Sequence, residues 1–322
     1  MQAGKKEEIM NLKKERSEKT KRSSSDEGLL SASGGRIRPV AMGVAVALML
    51  VLTQFSPVVA EEAAAGNSAA GNSASLENTV PDAAQLMKEA HLVMFYAADD
   101  GVAEVQMKIV NSRGKERLRE FAMMRLDLEE GGRQDYYTYF RKPHDVSRMS
   151  FMVHKLPKKT DNRWIYIPSV DLIKRISSDD KASSFVGSDF TYEDISGRHW
   201  TEDDHKLLKE DTYNNRKVYV VESIPREKYK GFARKVTFID AENRLILKEE
   251  YYNAKGELAR IFTAERIEEH DGILTPAYRK MENVKKKQYT TVEFSGIRYN
   301  VGMKESIFSE RFLKNPPREY IK

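Results

Sequence analysis

The sequence predicts a mainly β (α+β) fold, in which a curled antiparallel sheet of about ten or eleven strands wraps over an N-terminal helix. From residue 103 onward, apolar and polar residues alternate with a period of two, and turn residues follow each short run. Strands do not alternate with helices, which argues against a parallel sheet. Because long strands in a strongly twisted antiparallel sheet tend to curl, we expect the sheet to enclose a core.

The predicted helix begins after Pro81, where Asp82 can act as the N-cap. Gln85 follows three residues later, as in a capping box. An apolar stripe at helical spacing continues through Leu86, Met87 and Ala90, and the pattern ends at residues 98–101. We therefore expect one N-terminal helix, and a second short helical piece near residues 184–194.

The strands are predicted from their alternation and from the turns between them. A hairpin turn at 112–115 joins strands at 103–111 and 118–128. Asp203, Asp204 and His205 lie among other polar residues and are interpreted as part of an exposed connector. The remaining strands are predicted at 135–141, 148–155, 163–167, 216–221, 233–240, 245–252, 257–267, 273–281 and 289–299.

Residues 1–60 have the pattern of a secretory signal peptide. A basic stretch precedes the unbroken apolar run 40–52, and small residues near Ala60 suit cleavage. The run is shorter than the roughly 20 apolar residues of a membrane-spanning helix. We expect a periplasmic protein after cleavage; the alternative is an inner-membrane anchor formed by an uncleaved signal. Residues 61–80, rich in Ala, Gly, Asn and Ser, are predicted to be a flexible linker, and 81–322 the folded domain.

Composition excludes several functional classes. The chain has no cysteine, so it has no disulfide, no thiol chemistry and no cysteine-ligated metal. The formal net charge is +5, but residues 1–60 carry ten Lys and Arg against six Asp and Glu. The rest of the chain is therefore nearly neutral and lacks the concentrated basic footprint of a nucleic-acid-binding protein.

The residues that usually carry catalysis form no recognisable pattern. The six histidines show no metal-ligand spacing, and neither a nucleophile elbow nor a phosphate-binding loop is present. We therefore predict no catalytic residues, no metal site and no cofactor, and a protein that is not an enzyme. A cell-envelope enzyme is the weakest of the functional alternatives.

The most unusual segment is residues 184–194, which is polar yet carries three aromatic side chains. Gly187 allows a tight bend with a positive φ, and its neighbours can cap a short helix or close a turn. The flanking aromatic side chains could close a cavity mouth, either as a moving lid or as a fixed plug. The residues of this predicted lid or plug are Phe185, Gly187, Ser188, Asp189, Phe190 and Tyr192.

An ion pair could fasten this segment to the sheet. Arg175 precedes it and Asp194 lies within it, so the two are predicted to form a loop-pinning pair. The alternative is that both are solvated surface charges, which contribute little to stability.

Five blocks of the sequence resemble the outer-membrane lipoprotein-sorting protein family, which is similar in fold to the periplasmic lipoprotein carrier and its outer-membrane receptor (LolA/LolB-like). The resemblance covers residues 82–318, and residues 184–194 are its most specific part. The sequence departs from the family pattern at 147–150. The matching blocks are 140–145 (FRKPHD), 161–168 (DNRWIYIP), 174–177 (KRIS), 184–194 (SFVGSDFTYED) and 307–313 (IFSERFL).

The resemblance implies a half-barrel of about eleven strands, closed by helices around an apolar cavity that binds acyl chains. It further implies a monomeric, non-enzymatic carrier for lipid or lipoprotein acyl chains, working beside an inner-membrane transporter. The alternative is a periplasmic sensor of the envelope-stress type. Large adaptable side chains on the sheet suit such a cavity, although each could also be ordinary core. The predicted cavity residues are Met107, Met124, Phe140, Phe151, Trp164 and Tyr166.

Overall fold

Thirteen antiparallel strands form one sheet in the computed structural model, which describes residues 81–157 and 159–321. Because β1 pairs with β13, the chain enters and leaves the sheet at its middle, and β6 and β7 are its two edges. The predicted signal peptide and linker lie outside the described residues. The strands are β1 (Asp100–Val110), β2 (Glu116–Asp127), β3 (Gln134–Lys142), β4 (Ser150–Lys155), β5 (Asn162–Ile167), β6 (Leu172–Ile176), β7 (Asp203–Tyr213), β8 (Arg216–Pro225), β9 (Arg234–Asp240), β10 (Ile246–Tyr252), β11 (Leu258–His270), β12 (Ile273–Asn283) and β13 (Gln288–Tyr299).

The mainly β antiparallel fold is confirmed, with thirteen strands where the sequence predicted about ten or eleven. The sequence analysis missed the edge strands β6 and β7. Only Ile176 is buried in β6 and only Asp203 in β7, so neither strand shows an apolar alternation. Edge strands commonly carry exposed charges, because these discourage pairing with other chains. The exposed connector expected at Asp203, Asp204 and His205 is therefore wrong, since these residues begin β7.

Three α-helices accompany the sheet in the described part of the chain: α1 (Ala83–Phe95), α2 (Tyr192–Ser196) and α3 (Glu310–Lys314). Asp82 caps α1 by accepting hydrogen bonds from the backbone amides of Ala84 and Gln85. The Gln85 side chain turns to Glu89 instead of completing a capping box. None of the described helices is long and apolar enough to cross a membrane.

The main hydrophobic core lies on the concave face of the sheet. One buried cluster contains both Phe151 of β4 and Ile239 of β9, although these strands are far apart in the sheet order. Their union in one cluster requires the sheet to curl. The apolar side of α1, including Leu86, Met87 and Ala90, packs into the same cluster. The predicted arrangement of a curled sheet over a helix is therefore confirmed.

The C-terminal segment, residues 300–321, covers the opposite face of β1 to β6. Its side chains Phe308 and Leu313 join a second apolar cluster with Met152 of β4. The Tyr137 hydroxyl donates a hydrogen bond to the Phe312 carbonyl at 2.7 Å. The inner strands of this half of the sheet are consequently covered on both faces.

The long connection between the two edge strands, residues 177–202, is called the cover segment below. It contains α2 and crosses the concave face. Its residues Phe185 and Phe190 are buried in the main core. Asp189 accepts a hydrogen bond from the hydroxyl of Thr290 in β13 at 2.8 Å, so the cover segment reaches the middle of the sheet.

Candidate functional site

Three small cavities lie between the concave face and the elements that cover it. Their volumes are about 70, 100 and 50 Å³. Arg279 of β12 lines all three cavities, while Met94 of α1 lines the first two. These shared walls show that the cavities adjoin one another, and together they form the candidate ligand site.

One side of the site is apolar. The cavity of about 70 Å³ is lined by Met87 of α1, by Phe262 and Met281 of the sheet, and by Phe190 of the cover segment. Another cavity lies among Met107, Phe121 and Val292 and similar side chains. Concave apolar surfaces with few polar groups are typical of sites for small apolar ligands.

The other side of the first cavity carries buried charges that are paired. Lys235 Nζ lies 2.7 Å from Glu249 Oε1, and Arg198 Nε lies 2.8 Å from Asp203 Oδ1. Burial would lower the pKa of Lys235, but the neighbouring Glu249 carboxylate raises it above its ordinary value. Pairing of this kind offsets part of the cost of removing charges from water.

The tip of the cover segment is a closed loop around Gly187, whose φ of +78° is left-handed as predicted. The Phe185 amide donates to the Phe190 carbonyl at 2.8 Å, and the Ser188 amide donates to the Phe185 carbonyl at 2.9 Å. The predicted turn is therefore present, but Thr191 rather than Ser188 or Asp189 caps α2, in a capping box with Asp194.

Phe185 is the most deeply inserted side chain of this loop. It is fully buried, and its ring lies 5.8 Å from that of Phe140, 5.4 Å from that of Phe151 and 5.6 Å from that of Tyr192. Aromatic pairs at such distances add to the stabilisation from burial alone. The cover segment is thus anchored to the concave core by an aromatic cluster.

Polar contacts fasten the same segment to β11 and β13. Asp189 accepts hydrogen bonds from Gln288 Nε2 at 2.9 Å and from Thr290 Oγ1. Burial nevertheless raises the pKa of Asp189 above its ordinary value. Arg260 of β11 donates to Asp194 Oδ2 at 2.6 Å.

The predicted partner of Asp194 was wrong. Arg175 lies on the exposed edge strand β6, where it donates to Asn162 and lies over the Trp164 ring. The cation paired with Asp194 is Arg260. Arg260 is distant from the loop in the sequence, but the curl of the sheet brings it beneath the loop.

A buried lysine contacts the other end of α2. Lys155 Nζ donates to the carbonyls of Ser196 and Gly197 at 2.7 and 2.8 Å. These carbonyls lie at the C-terminal end of α2, where cations are favourable. Burial lowers the pKa of Lys155 to about 8. Burial also lowers the pKa of His91, whose Nε2 lies 3.4 Å from this ammonium group, well below its ordinary value.

The six predicted cavity residues divide between the two faces of the sheet. Met107, Phe140 and Phe151 belong to the concave core, and of these three only Met107 lines one of the three cavities. The other three belong to the cluster under the C-terminal segment, but Met124 also lines the cavity of about 100 Å³. Trp164 and Tyr166 line none of the three cavities, so the expectation that all six line one cavity was wrong. Successive side chains of a strand point to opposite faces, and Ile165, between the two aromatics of β5, is the inward residue.

Sequence reasoning missed the inward-pointing cations. Lys155 lies two residues after Val153, and Arg260 lies two residues before Phe262, so both share the inward register of apolar neighbours. The sequence signal that could have identified them is a charged residue two positions away from an inward-facing apolar residue of the same strand. Among the described residues, no group of three or more His, Cys, Asp or Glu side chains could hold a metal ion.

Residues 132–315, more than half of the chain, match a protein-family model described as an uncharacterized protein. The chain belongs to this family. A comparison with curated proteins finds no match.

Solved structures resemble the fold throughout the domain. A domain from Vibrio parahaemolyticus, named as an outer membrane lipoprotein-sorting protein, is 28% identical, with a TM-score of 0.68 over 72% of this chain and 98% of that one. A DUF1329 family protein from Desulfovibrio piger is 27% identical, with a TM-score of 0.67 over 71% and 97% of the two chains. A LolA superfamily protein from Nitrosomonas europaea is 17% identical, with a TM-score of 0.57 over 72% and 100%, and shows the fold alone. The resemblance found in the sequence is thus confirmed, as is the LolA-like half-barrel fold.

Proposed function

We propose that this protein is a non-enzymatic periplasmic carrier that holds the acyl chain of a lipid or lipoprotein between its curled sheet and its cover segment. The adjoining cavities beneath the cover segment carry the proposal, because their apolar walls come from α1, the sheet and the cover segment together. The names of the relatives, lipoprotein-sorting and LolA superfamily proteins, support it.

The cavities are small in the closed state, so an acyl chain would need the cover segment to move outward. Hydrophobic burial would supply the affinity, and transfer to a more favourable site would release the cargo. An inner-membrane transporter is the proposed donor of the cargo, and the outer membrane its destination. We propose that the carrier acts as a monomer after signal-peptide cleavage.

Native mass spectrometry of protein purified from membrane-containing cells tests the proposal. We expect co-purified phospholipid or acyl chains on the wild-type protein. A Met94→Trp variant should reduce that occupancy, because Met94 lines two of the adjoining cavities. Leu118→Trp, at an exposed position on β2, should leave it unchanged. A tightly bound protein partner with no lipid would contradict the carrier and favour a sensor.

A further inference from the structure

The cavity of about 100 Å³ contains an arginine with an unusual environment. Arg279 Nε donates to the Pro276 carbonyl at 2.8 Å, and its guanidinium carbon lies 4.5 Å from the centre of the Phe294 ring. In the described part of the chain, Arg279 has no carboxylate among its main electrostatic neighbours, which are Tyr299 and Tyr136. Burial lowers the pKa of Arg279 to about 10, so the side chain stays charged at neutral pH.

Other inward cations of the concave face have partners, and Lys155 donates hydrogen bonds to two carbonyls. Arg260 is paired with Asp194, and Lys235 with Glu249. Arg279 is partly buried, and a charge removed from water without such a partner is costly unless something else supplies the opposite charge. Arg279 therefore differs from Arg260 and Lys235, because no carboxylate of the described chain is among its main electrostatic neighbours.

A second polar side chain without an internal partner among the described residues lines the same cavity. Tyr136 of β3 is 3% exposed, and its hydroxyl oxygen has no hydrogen-bond partner among the described residues. Buried polar atoms are nearly always hydrogen-bonded, so an unpaired one calls for an explanation. A phenol hydroxyl can donate one hydrogen bond to an anion.

Tyr136 and Arg279 lie on β3 and β12, so their presence at one cavity reflects the curl of the sheet. We propose that they form a subsite for the anionic group of the cargo, either a carboxylate or a phosphate. This inference rests on the proposed carrier function and specifies its ligand as an anionic amphiphile. The guanidinium would donate charge-assisted hydrogen bonds, and the phenol would donate one more.

The path for the apolar part of the ligand begins at the same arginine. Arg279 also lines the two neighbouring cavities, whose walls include Met281, Val292 and Phe190. An amphiphile with its anionic end at Arg279 would therefore place its chain under the cover segment. The charge-assisted hydrogen bonds from Arg279 require an anionic group at this end of the ligand. A neutral amphiphile of equal length should therefore bind more weakly.

Calorimetric titration of the full-length protein with palmitate and with hexadecanol tests the subsite, since the two probes share a chain length but differ in charge. We expect palmitate to bind about ten-fold to one-hundred-fold more tightly than hexadecanol, the range typical of hydrogen bonds to charged groups. Arg279→Met should remove that preference, and Tyr136→Phe should reduce it. Arg266→Met, on the exposed side of β11, should retain it.

The outcomes separate the two proposals. Equal affinity for both probes, or a preference that survives in Arg279→Met, overturns the anion subsite while the carrier function stands. Binding of neither probe overturns the carrier function itself. Binding of inorganic phosphate but not of palmitate overturns the assignment to an amphiphile and gives the subsite to a free anion. Arg279→Gln, which keeps a polar side chain, provides a second test if the methionine variant does not fold.

Discussion

Arg260 and Asp194 join the sheet to the cover segment through one carboxylate oxygen. Arg260 Nη1 lies 2.6 Å from Asp194 Oδ2, and the same oxygen accepts a hydrogen bond from the Thr191 amide at 2.7 Å. Arg260 Nη1 also donates to the Asp189 carbonyl at 3.2 Å. Asp194 therefore completes the capping box of α2 and also pins the helix to the sheet, so that displacement of α2 leaves the buried arginine without its counter-charge.

Replacing Arg260 with methionine should loosen the cover segment. Removal of one partner from a buried ion pair typically costs about 3–5 kcal/mol, and Asp194 is partly exposed, so we expect a value near the lower end. Urea unfolding measures the loss of stability. Hydrogen exchange of the amides at 184–196 should accelerate more than exchange in the central strands, because the lost contact is local.

Arg266→Met is the matched control on the same strand. Arg266 pairs with Glu268 and Glu293, but its side chain is 47% exposed, and exposed ion pairs contribute little. We expect its effect on the free energy of unfolding to be within about 0.5 kcal/mol. Similar losses in both variants would show that Arg260 has no special role in holding the cover segment.

Phe185→Ala tests whether the aromatic anchor also controls ligand entry. The ring is fully buried among Phe140, Phe151 and Tyr192, so its removal should cost about 3–5 kcal/mol. If the loop is a lid, Phe185→Ala combined with Phe190→Ala should also change the association rate of a fluorescent fatty acid. Stopped-flow fluorescence measures that rate.

Phe308→Ala supplies the comparison for this pair of substitutions. Phe308 is buried to a similar degree, but it lies on the opposite face under the C-terminal segment. It should lower stability without altering fatty-acid association. Unchanged association in the double variant would identify the loop as a fixed plug.

The inner strands of the sheet could be predicted because their apolar and polar residues alternate, as expected for a strand with one face buried in the core. Val105, Met107 and Ile109 of β1 show this pattern directly. The edge strand β7 has no such alternation, since ten of its eleven residues are at least partly exposed. The sequence also did not show which face of each strand is concave, because the inner strands among β1 to β6 are covered on both faces. The misplacement of Trp164 is an example.

The contacts that form the site depend on long-range curvature. Phe185 was recognisable as part of an aromatic loop, but its neighbours Phe140 and Phe151 come from other strands. Arg260 and Asp194 are 66 residues apart in the sequence. Local periodicity can place each side chain on a face, whereas pairing across the concave space requires the three-dimensional path of the sheet.

Gly187→Ala should strain the tip of the cover segment. Its φ of +78° lies in the left-handed region, which costs an L-residue roughly 1–2 kcal/mol. Gly256→Ala is a close control, since its φ is +77° in the turn between β10 and β11. Thermal unfolding should show similar losses for both. Only Gly187→Ala should change the fatty-acid association rate, and an equal effect of Gly256→Ala would mean that general destabilisation governs entry.

Lys155 should make stability depend on pH in the mildly alkaline range. Burial lowers the pKa of Lys155 to about 8, whereas in the unfolded chain a lysine has a pKa of about 10.4. Between these values the unfolded chain binds a proton that the folded protein does not, so stability rises with pH. The expected contribution is about 1.4 kcal/mol per pH unit in this window, and it is absent below the folded pKa.

Comparison of the wild-type protein with Lys155→Met isolates this contribution, because all other titrating groups are shared. The free energy of unfolding of the wild type, relative to the variant, should be constant below about pH 7 and should increase between about pH 8 and pH 10. Urea titrations across this range measure the difference. A constant difference would mean that the hydrogen bonds from the ammonium group to Ser196 and Gly197 keep Lys155 charged, so that its contacts with the end of α2 outweigh its burial.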